Sequence, residues 1–160
     1  MDVYDHLDRT KILAELVSQT FYDPANFWQP AAFLFGPTDV VVKISGQAFS
    51  SEDRKDQLAV ELVKLIVEEQ TDAVVMLQEA WVAERDDPTD LSPAKTDPSR
   101  VDSLVVTVMR AHERTGSIAP IQREPNQPPR LGEWKDSGSE IDGRFVDPLV
   151  AALQVVWEGK

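Results

Sequence analysis

No cysteine occurs in the 160 residues. Disulfide frameworks, thiolate catalysis, zinc ribbons and iron–sulfur clusters are thereby excluded, and a reducing compartment, the cytoplasm, is the expected home. Histidine is almost as scarce, with only His6 and His112. Helical zinc motifs need two histidines four residues apart with a glutamate between them, so no metal site is expected. The seven glycines are scattered. Neither a Gly-x-x-x-x-Gly-Lys nor a Gly-x-Gly-x-x-Gly spacing occurs, and no Gly-x-Ser-x-Gly elbow, so neither a nucleotide cofactor nor a conventional serine hydrolase is indicated.

Long apolar runs are missing too. None approaches the roughly 18 residues of a membrane span, and the opening Met1-Asp2-Val3-Tyr4-Asp5-His6 has neither the basic nor the apolar region of an export signal. Positive charge is in deficit, 16 basic against 28 acidic residues for a formal charge of -12. That balance opposes nucleic acids and anionic membranes and leaves a protein partner, basic or neutral, as compatible. Homo-oligomers stay compatible with it as well.

What is present is enough apolar sequence for a core. At this length about 68 to 70% of the unfolded chain's surface is buried on folding, so a single α+β domain over 1–160 is expected without a covalent staple. Ile12, Leu13, Leu16 and Val17 recur at helical spacing from about Asp8, which offers a cap, to Thr20. Ala32 to Phe35 and Val40 to Ile44 flank the turn-forming Gly36-Pro37-Thr38-Asp39 and predict a hairpin. Ser50-Ser51-Glu52-Asp53 predicts the start of a helix running to about Gln70, with Leu58, Leu62, Leu65 and Ile66 on its inner stripe.

Ala73 to Glu84 and Leu104 to Met109 are rich in β-branched residues and predict strands, the second reaching Glu113 before a turn at Arg114-Thr115-Gly116. Ser117 to Gln122 returns beside it, with Pro120 placing it at a sheet edge. Residues 86–100 hold three prolines and predict a mobile loop; 124–145 lack periodicity and predict an irregular wrapping segment. Asp147-Pro148 opens a last helix through Leu149, Val150, Leu153, Val156 and Trp157. The expected fold is a mainly antiparallel sheet of about five strands, a hairpin, a helix and then a three-strand meander, against two or three helices.

Chemistry is harder to find. Glu79 shares a strand face with Val75, Leu77 and Trp81, where a carboxylate must be paired, protonated or solvated; an arginine partner is the structural alternative to a catalytic role. His112 follows Arg110 on one face of the next strand and offers a general base, so Glu79, Arg110 and His112 form the weak catalytic candidate. Arg110, Arg114, Arg123, Arg130 and Arg144 offer an anion site if the fold gathers them. Trp28 and Trp134 are candidate binding anchors, with core packing as the alternative, and Glu68 and Glu69 end the second helix as acidic binding candidates. The sequence favours a non-catalytic acidic interaction protein, accessory, immunity or inhibitor-like, that binds a protein partner. A small enzyme and a structural subunit of a larger assembly are the alternatives.

Overall fold

The computed structural model describes residues 1–20, 27–82, 98, 100–138 and 145–160. Within them the chain runs α1 (Val3–Thr20), β1 (Ala31–Phe35), β2 (Val40–Lys43), a 3-10 turn (Gly46–Phe49), α2 (Glu52–Glu68), β3 (Ala73–Val82), β4 (Val101–Arg110), β5 (Arg114–Gln122), β6 (Arg130–Leu131), β7 (Lys135–Gly138) and α3 (Val146–Glu158). The fold is α+β. Its sheet is antiparallel, in the order β2-β1-β3-β4-β5-β6, with β7 also paired to β5.

Side-chain alternation divides this sheet into two faces. Register places Phe33, Val75, Val108 and Thr115 side by side, and Leu34, Val74 and Met109 in the next row. The second row faces α2 and α3, where Leu34, Val74 and Met109 join Leu58, Leu62, Ile66, Leu149, Leu153 and Val156 in the main core. The first row faces α1, whose Val3 and Leu7 pack on Val75, Val106 and Val108. Two helices therefore cover one face and one helix covers the other, an imbalance that makes room for a groove.

Local chemistry explains the helix starts. Ser51 caps α2 by accepting a hydrogen bond from the Arg54 amide at 3.2 Å. At α1 the cap is Asp2 rather than Asp8. The Asp5 amide donates to Asp2 Oδ1 at 2.9 Å and the Asp2 amide donates back to Asp5 Oδ2 at 3.2 Å, a reciprocal box that starts the helix five residues earlier than the apolar spacing indicates. The Asp5 amide is also the main reason that the Asp2 carboxyl lies below its ordinary value.

The rotation of α1 differs from the expected one as well. Its buried residues are Val3, His6, Leu7, Thr10, Ala14 and Ser18, while Ile12, Leu13 and Leu16 are 54–57% exposed. Small and hydroxylated residues let the helix sit close to the sheet, where Thr10 Oγ1 donates to the His6 carbonyl at 2.8 Å. The larger side chains are left outside.

Elsewhere the turn after β4 falls at Ala111–Glu113, closed by Arg110 N–H donating to Glu113 O at 2.7 Å, so Thr115 and Gly116 belong to β5 rather than to the turn. Gly116 marks a shift in register against β7, the usual role of a strand-interior glycine. The segment expected to wrap irregularly supplies β6 and β7, which raises the strand count to seven and gives β5 neighbours on both sides. Pro120 is thus not at the edge. Its carbonyl accepts from Gly132 N–H at 2.8 Å, between the stretches paired to β7 and to β6, and its missing donor points toward that gap. The last helix begins at Val146, one residue before Asp147, and leaves Trp157 54% exposed against His112. The loop expected at 86–100 lies outside the described residues except for Pro98 and Arg100.

Candidate functional site

The sheet register decides the fate of the candidate catalytic set. Glu79 pairs with Leu104 and Ala73 pairs with Arg110, so six residues of β3 separate the level of Glu79 from that of Arg110. At about 3.3 Å per residue the two lie roughly 20 Å apart along the sheet. His112 stays near Arg110, in the turn beside Glu113 and Gln154, with its ring edge-on to Trp157 at 5.9 Å. The fold therefore does not gather Glu79, Arg110 and His112.

Glu79 has the paired arrangement instead. Its carboxylate meets Arg123, which also donates through Nε to Asp102 at 3.1 Å. The arginine comes from the end of β5 and reaches across β4, one strand farther than the neighbouring strand. Burial pushes the Glu79 carboxyl above its ordinary value; Asp102 adds to the rise, and Arg123 and the Trp28 amide oppose it. Native Glu79 thus holds its proton more tightly than the unfolded chain does. Above its raised pKa the ionised form costs stability, and that cost disappears as pH falls toward 4.5. Glu79→Gln should accordingly melt above the wild type at neutral pH and converge with it in acid, a difference readable by calorimetry across pH. A constant gap at every pH would show that the proton is not the cause.

The other candidates are dispersed. Arg114 meets Asp147 at 3.5 Å, Arg110 Nη1 donates to the Met1 carbonyl at 2.6 Å, and Arg144 lies outside the described residues, so no five-arginine anion site is assembled among the described residues. Trp28 is 3% exposed and packs with Ala14, Leu104 and Ile121. Its indole nitrogen is buried without an acceptor among the described residues. Trp134 is half-buried between two core clusters and donates Nε1–H to Glu15 at 2.9 Å. Both indoles pack into core clusters, and Trp28 also lines a groove beside α1. Glu68 is exposed on α2 and Glu69 half-buried at its cap. Among the described residues no three histidine or acid side chains cluster as metal ligands, and no helix is long and apolar enough to cross a membrane.

The feature that sequence spacing did not signal is a groove of about 810 Å³ between α1 and the β1–β2 side of the sheet. One flank of α1 is closed: Lys11 bridges to Asp136 of β7 at 3.0 Å and stands 5.7 Å from the Trp134 ring, and Glu15 accepts the Trp134 hydrogen bond. The other flank is open. His6, Thr10, Leu13 and Val17, a stripe about three turns long, form one wall, and Phe33, Phe35 and Leu77 of the sheet form the floor. Val41, 58% exposed on β2, stands at the far rim.

Charge in the groove runs against the charge of the chain. Its lining includes Arg9, Lys43 and Arg110 against Asp39 and Asp72, and Asp72 is already paired with Lys160 of the C-terminal end. His6 stacks on Phe35 with ring centroids 4.6 Å apart. Burial pushes the His6 imidazole below its ordinary value, and Arg110, the amino terminus and Arg9 push it the same way, with Asp5 opposing. The neutral imidazole is therefore favoured, by burial first and by the cations at that end of the groove second. Comparison with family models, curated proteins and solved structures finds no match for this chain, so its own residues carry the functional reading.

Proposed function

We propose that this chain is a non-catalytic binding protein whose binding site is the groove between α1 and the β1–β2 hairpin. The observation that carries this reading is the pairing of a large apolar lining with a few polar groups in about 810 Å³, within the range of small-molecule sites. The stretch from Phe35 to Trp28 is lined, among the described residues, mainly by apolar side chains, which supports holding the apolar part of a ligand.

A neutral apolar fluorophore such as N-phenylnaphthylamine tests it. Saturable enhancement at one site on the folded protein is expected. Leu13→Gln combined with Val41→Gln should weaken binding about ten-fold, as expected for the partial loss of two apolar contacts, and leave the melting temperature nearly unchanged because both side chains are exposed. Enhancement only as the protein unfolds would remove the reading.

A second reading, closer to an interaction protein, is favoured by Ile12 and Leu16. Both are more than half exposed, yet neither belongs to the groove lining. A ridge and a groove side by side on one face suit a two-fold contact with a second copy. Sedimentation separates the two: a monomer that binds the fluorophore supports the first, and a dimer dispersed by Leu16→Gln supports the second.

A further inference from the structure

The groove has polarity along its length, and this inference rests on the ligand-binding reading above. One end lies where Phe35 pairs with Ala73 and Ala73 with Arg110. Arg110 belongs to the β4 row that faces α1, and His6 of α1 stands over Phe35. Arg9, one turn along α1 from His6, is exposed and has no ion pair among the described residues. Two guanidinium groups therefore border this end.

The two acids of the lining do not neutralise it. Asp39 precedes β2, three strand spacings from β4, which is roughly 14 Å at about 4.8 Å per spacing. Asp72 is held by Lys160 at the end of α3. From Phe35 the floor continues through Phe33 and Leu77 to Ala31 and Trp28, apolar for about 13 Å along β1. Lys43, opposite Ala31 in the register, marks the far end.

We infer that the groove binds a free long-chain carboxylate, with its head between Arg9 and Arg110 and its alkyl chain laid over Phe35, Phe33 and Leu77 against Leu13 and Val17. The guanidinium fork matches a carboxylate in two hydrogen bonds, and charge-assisted bonds of this kind are the stronger ones. A single molecule is the source rather than a membrane, because a chain of formal charge -12 is repelled by an anionic lipid surface while a recessed cationic end still attracts one anion.

Displacement of the neutral fluorophore by dodecanoate, dodecanol and dodecyltrimethylammonium, each below its micellar concentration, tests the assignment. Dodecanoate should bind about ten-fold more tightly than dodecanol, and the cation most weakly, the margin expected for one added charge-assisted interaction. Arg9→Gln, an exposed change that the fold tolerates, should narrow that margin without altering the affinity for the alcohol. Equal binding of carboxylate and alcohol to the wild type would overturn the inference. So would an Arg9→Gln protein that keeps the preference undiminished, a preference removed by Lys43→Gln instead, or cosedimentation with anionic phospholipid vesicles. A fluorophore that binds but is displaced by none of the three rejects the amphiphile and leaves the groove reading standing. A fluorophore that never binds rejects the groove itself.

Discussion

Val106→Asp should abolish the cooperative thermal transition. Val106 is fully buried in β4, opposite Leu77 of β3 and Ser117 of β5, and packs with Val3, Leu7, Val75 and Val108. A carboxylate there has no cation in its cluster. It must either ionise in an apolar layer or take up a proton and remain short of hydrogen bonds, and both outcomes are expensive. A cost of about 4 kcal/mol or more is expected, against a stability of about 5 to 15 kcal/mol for a domain of ordinary size. Circular dichroism during heating reads the result. A sharp transition at the wild-type temperature would place β4 outside the core and dissolve the layering described above.

Leu7→Ala and Leu13→Ala should differ widely although both remove the same atoms from the same helix. Leu7 is 1% exposed and meets the sheet, whereas Leu13 is 57% exposed on the groove wall. The first change leaves a cavity and should cost about 2 to 5 kcal/mol. The second should stay within about 0.5 kcal/mol. Urea titrations with unchanged slopes measure both. Equal costs would mean that α1 is rotated the other way, with Leu13 turned inward, and the groove would lose its wall.

The contrast between those leucines also shows how far the amino-acid pattern could be read. Strands β1 to β4 and helices α2 and α3 were legible because their apolar residues follow period 2 or 3.6 and their ends carry recognisable caps and turns, as at Ser51 and at Gly36-Pro37. Helix α1 was legible as a helix but not in its orientation. Periodicity assigns the largest apolar side chains to the inside, and here Ile12, Leu13 and Leu16 lie outside while His6, Thr10 and Ser18 lie inside. Strands β6 and β7 are two and four residues long, too short for a period to appear.

The site shows the same limit. Glu79 stood out correctly as a carboxylate that needs a partner, and Arg123 supplies it from two strands away, a distance along the chain that no local motif encodes. The groove was hidden because it arises from what is not packed on one half of a sheet face. Its residues, from Met1 to Arg110, are scattered over five elements and the segments between them and share no spacing.

The outer rim of the groove is an edge strand. Among the described residues β2 pairs with β1 alone, over the four positions Val40 to Lys43. Its remaining backbone donors and acceptors point away from the sheet, and only Val40 and Val42 of its side chains are even half-buried. The free energy needed to release that strand is consequently a small part of the global stability, since such short, one-sided elements belong to the least protected units of a protein. Entry to the groove can therefore proceed by fraying of one strand while β3, β4 and the α2–α3 layer stay folded. An occupant that contacts Val41 would stabilise the strand by mass action and so close the door through which it came.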